Sequence, residues 1–171
     1  MNALDLYLET IGRSDQVLRR ALEGLSIEDL QQQAAGEGSN PIGWLTWHLS
    51  RVRDGIISNL TGEQSIWDLE GWASRFGIEG EAPRLTPDNV HTFDPRDPET
   101  LLGYFEAVSA KTVELAKTLT EHDLERVLPS TQAGRPPQTV GSRLGIILND
   151  NIQHIGQIAY LRGMIRGQGW F

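Results

Sequence analysis

Apolar residues recur every three to four positions along four stretches of the chain, the period of helices that bury one face. The first stretch runs from Ala3 to Leu25, with Leu4, Tyr7, Leu8, Ile11, Leu18, Leu22 and Leu25 on one side. The second opens at SNPIGW, where Asn40 can cap the helix and Pro41 suits its first position. Its stripe is Leu45, Leu49, Val52, Ile56 and Leu60, and TGEQ ends it. The third opens at DPET with Asp97 as cap, and its stripe is Leu101, Phe105, Val108, Thr112, Leu115 and Leu119. The fourth begins near Thr139 and carries Leu144, Ile147, Ile158, Leu161 and Ile165. No stretch shows the two-residue alternation of a half-buried strand. The stripes predict an all-α fold, one four-helix bundle domain over residues 1–171.

Two shorter segments, LSIEDLQQQ (25–33) and LTEHDLERV (119–127), share an L-[ST]-x-x-D-L pattern, a cap followed by a short acidic turn. LDLYLE (4–9) and LLGYFE (101–106) correspond in the same order. The chain therefore reads as two helical hairpins of similar design. A long crossover over residues 62–96, rich in Gly, Pro and Trp, joins them and holds one short helical candidate, SIWDLEGWASRFG.

Charge and composition narrow the partners. Fifteen basic against 23 acidic side chains give a net charge of -8, which disfavours a phosphate backbone and argues against nucleic acid. No run reaches the ~18 to 20 apolar residues of a membrane span. The segment MNALDLYLETIGR carries acids where a secretory signal carries bases, so a cytoplasmic protein without a membrane partner is expected. The sequence has no cysteine. Disulfides and thiolate ligands are thereby excluded, and a nucleophilic sulfur has to arrive on another molecule.

The polar residues set among the stripes are the informative ones. In WLTWHLSRVRD, His48 lies three residues after Leu45 and four before Val52, on the apolar side of its helix. In NDNIQHIGQIAYLRG, His154 lies four residues before Ile158, and Asp150 projects from the same face one turn earlier. Spacing leaves two readings open. One is a pair of satisfied structural histidines beside a solvated acid. The other is a metal site, because bundles build such sites from inward His and carboxylate side chains at i, i+3 or i+4. His91 and His122 read as surface residues.

NPIGWLTWHLSRVRDGI and NDNIQHIGQIAYLRG together resemble the DinB/YfiT-like superfamily, which includes mycothiol-dependent maleylpyruvate isomerases and bacillithiol transferases. The resemblance covers essentially the whole chain, from W-H-L through WDLEGWASRFG and L-x-x-Y-F to H-x-G-Q-x-x-x-L-R-G. It implies a DinB/YfiT-like bundle with His48 as the ligand on the second long helix. His154 matches the second His of an H-x-x-x-H-x-G-Q element, and Asp150 stands where that element has its first His. The implied metal set is His48, Asp150 and His154, for a divalent ion such as Zn, Ni or Fe, with Gln157 and Asn151 as supporting groups.

The implied activity is that of a thiol S-transferase or isomerase, in which a low-molecular-weight thiol such as mycothiol is bound as thiolate and attacks a small electrophile. Trp44, Trp47 and Arg162 are the expected substrate-binding residues. Arg51 and Arg143 are further candidates for a carboxylate, and Trp67, Trp72 and Phe76 either line the site or close the end of the bundle. The alternative is a non-catalytic bundle that lost effective metal chemistry when Asp replaced His and that binds a small apolar ligand or dimerises. Metal-assisted hydrolysis needs a general base as well, for which Asp54 is the nearby candidate. Apolar helix faces left exposed make a homodimer the expected assembly.

Overall fold

The N–H groups that open a helix need partners, and the side chains placed before the helices supply most of them. The computed structural model describes residues 1–78, 90–129 and 136–168. In chain order the helices are α1 (Ala3–Leu22), α2 (Ile27–Gln31), α3 (Ile42–Thr61), α4 (Ile66–Leu69), α5 (Trp72–Arg75), α6 (Pro98–Thr118), α7 (Glu121–Leu124) and α8 (Val140–Arg166). Asn2, Ser26, Asp97, Thr120 and Thr139 each accept a backbone N–H at the start of α1, α2, α6, α7 and α8. The repeated L-[ST]-x-x-D-L segments become α2 and α7, each closed by a capping box to Asp29 or Asp123.

Three boundaries differ from expectation. Pro41, not Asn40, is the N-cap of α3, with ψ at 158° and no side-chain cap. Pro41 is itself in extended backbone and the first helical residue is Ile42, so Asn40 stands one residue too early to cap. The helix α1 ends at Leu22 rather than Leu25, because Glu23 leaves the helix and Gly24 turns the chain at φ 69°. The single helical candidate of the crossover is two turns, α4 and α5, separated by Gly71 at φ 66°. The segment 79–89 of that crossover lies outside the described residues. A two-residue antiparallel ladder, Val127–Leu128 with Gln138–Thr139, is too short for any alternation to announce it.

The two halves of the chain interleave. The last helix, α8, lies against both α1 and α3, and α6 also contacts both. Apolar residues form two clusters, one with Leu18, Leu49, Val108 and Ile155, the other with Ile11, Ile56, Ala116 and Ile147. Between them each long helix places a buried polar residue: Asp15, Arg53, Thr112 and Asn151. Going along the sequence, α1 and α8 pass from the second cluster to the first, whereas α3 and α6 pass from the first to the second. Hence α8 is parallel to α1 and antiparallel to α3.

Arg53 is fully buried and makes three hydrogen bonds to two groups. Its Nη1 and Nη2 donate to the Asp15 carboxylate at 2.8 and 3.3 Å, and its Nε donates to Thr112 Oγ1 at 2.7 Å. The Ser109 hydroxyl donates to Asp15 Oδ2 at 2.5 Å. Burial beside this pair pushes the Tyr7 phenol up to about 12. No helix among the described residues is long and apolar enough to cross a membrane.

Candidate metal centre

On α3 the residues at the edge of the buried stripe face α8, and Trp44 and His48 are one turn apart there. The Trp44 indole stacks on the His48 imidazole with ring centroids 4.6 Å apart and planes 15° from parallel. The antiparallel α8 brings Asp150 and His154, also one turn apart, to the same seam. His154 meets His48 edge to face, with centroids 5.0 Å apart. His154 Nε2 is 3.5 Å from Asp150 Oδ1. Each of His48, Asp150 and His154 can offer a donor atom, and these atoms lie within 4.8 Å of one another.

The set suits a divalent ion. Two imidazoles and a carboxylate are ordinary ligands for zinc and for ferrous ions, and donors ~2.0–2.2 Å from a tetrahedral ion stand roughly 3.4 Å apart. The His154–Asp150 separation already matches that figure. A second observation points the same way. Asp150 Oδ2 is buried with no hydrogen-bond partner, a costly state for a carboxylate oxygen and one that a cation relieves. The fit rests on these donors and on that unpartnered oxygen.

Protons and metal compete for the same atoms. Contact with the Asp150 carboxylate is the main influence raising His154 above the ordinary imidazole value of 6.5, and a hydrogen bond to Gln157 adds to it. Burial pulls His48 below that value, with Asp150 opposing. Both rings must be neutral to bind metal. As pH falls, His154 therefore takes up its proton first, beginning above 6.5, and His48 follows below it. Metal affinity should weaken about tenfold per pH unit through the first titration and more steeply through the second. Competition titrations with a chelator from about pH 8 to about pH 5.5 measure this slope. A flat profile would remove the histidines from the site.

Gln157 and Asn151 occupy different surroundings. Gln157 Oε1 is 2.8 Å from His154 Nδ1. That bond places the proton on Nδ1 and leaves Nε2 to face Asp150 and a metal. Asn151 is fully buried in the polar layer of the bundle interior, and neither atom of its amide has a hydrogen-bond partner. A cleft of about 190 Å³ adjoins Gln157, lined also by Ser39, Asn40, Leu45, Tyr160 and Leu161. Sequence reading took Asn40 only as a helix cap and did not single out Ser39 and Tyr160; the α2–α3 connection and the outer side of α8 bring the three together.

The other candidates are held elsewhere. Trp47 is buried against Trp67 and Phe93 rather than beside His48. Arg162 Nη1 donates to the carbonyls of Ala21 and Glu23 at 3.0 and 2.7 Å, so it caps the end of α1. Arg143 donates to Gln138, and Arg51 lies over the Trp67 ring. Trp67, Trp72 and Phe76 pack around Tyr104 and close the end of the bundle. Asp54 is buried and engaged. It accepts the N–H groups of Ile66 and Trp67 at the start of α4 and the Tyr104 hydroxyl. Burial, with Asp54 adding, drives the Tyr104 phenol far above its ordinary value.

The sequence profile of the DinB superfamily matches residues 10–158, which take in α3 and α6, most of α1 and α8, and the three candidate ligands. The chain belongs to the DinB superfamily. A crystal structure of a conserved protein from Enterococcus faecalis resembles this DinB-superfamily chain with a TM-score of 0.85. The match covers 98% of this chain and 99% of that one at 24% identity, a likeness of fold. No curated protein sequence matches. The cluster of His48, Asp150 and His154 thus lies in an all-α bundle of the DinB superfamily.

Proposed function

We propose that this DinB-superfamily protein is a divalent-metal-dependent thiol S-transferase or isomerase acting on a small electrophile. The observation that carries the reading is the meeting of His48, Asp150 and His154 at one seam around a carboxylate oxygen that has no partner. His48, Asp150 and His154 would hold the divalent ion, which would lower the pKa of an incoming thiol toward neutrality.

The residues of the chain supply the rest. Gln157 holds His154 in the tautomer that ligates. Trp44 fixes the plane of His48 by stacking on it. The adjoining cleft offers the uncharged polar groups of Ser39, Asn40 and Gln157 and the ring of Tyr160 to an incoming molecule. The chain has no cysteine, so in this reading the thiol is a separate low-molecular-weight molecule, mycothiol being the one that the family resemblance implies. Hydrolysis by activated water is the poorer reading, because the one acid suggested as its base, Asp54, is committed to three hydrogen bonds.

Elemental analysis of untagged protein, paired with thiol consumption against a halogenated nitroarene, tests the reading. The expected result is about one divalent ion per chain and a conjugation rate that a chelator abolishes. Protein that purifies without metal, and that leaves the thiol unconsumed after Zn, Ni and Fe are each restored, would instead make it a non-catalytic bundle.

A further inference from the structure

The cleft beside the metal centre is built from the same two helices as the centre. Leu45 lies one turn before His48 on α3, and Tyr160 and Leu161 lie one turn after Gln157 on α8. Because α3 and α8 are antiparallel, both steps lead the same way, and the cleft stands about one turn, or about 5.4 Å, beyond the candidate ligands. Its volume is about 190 Å³, and a cavity of ~150 Å³ is enough to hold benzene. The cleft therefore has room for one six-membered ring with a small substituent. Leu45 and Leu161 are buried and give it an apolar floor, whereas the Tyr160 ring is exposed at its mouth.

Two features decide which ring it takes. One is an unused hydroxyl. Ser39 Oγ is buried without a hydrogen-bond partner, while Gln33 Nε2 donates to the Ser39 carbonyl at 2.9 Å and pins the residue in place. An acceptor oxygen on a ligand satisfies that hydroxyl. The other feature is charge. Among the described residues no Asp, Glu, Lys or Arg lines the cleft. Arg162, next to Leu161 in sequence, is committed to the carbonyls of Ala21 and Glu23. At the centre itself the Asp150 carboxylate and an incoming thiolate together balance the two charges of a divalent ion, so no positive charge is left over to draw an anion. A carboxylate entering the cleft would shed its water without gaining a cation, which is costly. We propose that this cleft takes an uncharged aromatic ring bearing a neutral oxygen acceptor, such as a nitro or carbonyl oxygen, and turns away the same ring bearing a carboxylate. Tyr160 supplies an aromatic face and Ser39 the hydrogen bond. That the ring is the electrophile's rests on the proposed thiol chemistry; the selectivity of the cleft does not.

Amide NMR titrations of the full chain in the presence of chelator, with nitrobenzene and with para-nitrobenzoate, test the selectivity without turnover. Nitrobenzene should shift the amides of Ser39, Asn40, Gln157 and Tyr160 to saturation, and para-nitrobenzoate should bind at least about tenfold more weakly. Tyr160→Ala, at an exposed position, should weaken nitrobenzene about threefold or more. Asn40→Arg places a cation at the cleft and should bring para-nitrobenzoate at least level with nitrobenzene. The proposal is overturned if nitrobenzene leaves those amides unmoved, if the wild type binds both compounds equally, or if Asn40→Arg leaves the preference unchanged. Turnover of the metal-loaded protein separates this inference from the reading it rests on. Nitrobenzene bound at these residues, with no thiol consumed against chloronitrobenzene, would refute the transferase and with it the ring's part as electrophile. Chloronitrobenzoate consumed as fast as chloronitrobenzene would refute the selectivity and leave the transferase standing.

Discussion

Asp150→Ala is expected to abolish metal binding at the candidate centre and, with it, the proposed conjugating activity, and to leave the metal-free fold no less stable. The carboxylate is one of three donors, and losing a ligand costs more than the ten- to hundredfold typical of disturbing the groups behind one, so metal affinity should fall by at least about a hundredfold. Stability moves differently. Without metal, Asp150 Oδ2 is a buried oxygen with no partner, and removing such a group recovers a desolvation penalty of about 1–3 kcal/mol. The lost contact with His154 offsets part of that gain. With metal bound, the native state gains the binding free energy, so a chelator should lower the melting temperature of the wild type and not that of the variant. Asp150→His supplies the imidazole that the family pattern has at this position and should keep the metal. Calorimetric melts with and without chelator, beside metal analysis of both variants, decide the matter. Metal and activity retained in Asp150→Ala would show that the ligand set is misassigned.

The bundle was legible because burying one face of a helix writes a period into the sequence. The stripes through Leu45–Leu60 and Leu101–Leu119 became α3 and α6, the expected cap Asp97 stands at the start of α6, and α8 opens after Thr139, where the fourth helix was expected. Within one helix the site was legible too, since Asp150 and His154 share a face by spacing alone. What spacing does not carry is how far one helix slides along another. His48 meets His154 because α3 and α8 run antiparallel at one register, a property of the whole bundle. Trp47 turned out to be core for the same kind of reason: the crossover brings Trp67 over it, with Phe93 alongside. Asp54 looked like a spare acid until the start of α4 arrived to occupy it. Arg53 and Asp15 were the missed signal. Arg53 lies between Leu49 and Ile56, and Asp15 between Ile11 and Leu18, each at the three-to-four spacing of its own apolar stripe. Opposite charges inside two facing stripes are a readable sign of a buried ion pair.

That pair carries the largest expected effect on stability. Among the described residues, Arg53 is the cation bound to Asp15, and Arg53→Met leaves a carboxylate in the interior with the Ser109 hydroxyl as its remaining donor. Breaking one side of a buried pair costs about 3–5 kcal/mol, against a total of about 5–15 kcal/mol for a domain of this kind, so the variant should be largely unfolded in low urea. Arg53→Met with Asp15→Leu removes both charges and should recover most of the loss, because Thr112 Oγ1 still donates to the Val108 carbonyl. A single variant that loses less than about 1 kcal/mol would show that water reaches the pair. The double variant also separates stability from register. The layer of Asp15, Arg53 and Thr112 fixes how α1, α3 and α6 are matched, whereas an apolar layer tolerates a slip of one turn, about 5.4 Å. Such a slip along α3 would carry His48 away from His154 while the bundle stayed folded. Urea unfolding near wild type with weakened metal binding is therefore the expected signature of the double variant. Metal binding retained at full strength would assign the register to the apolar contacts instead.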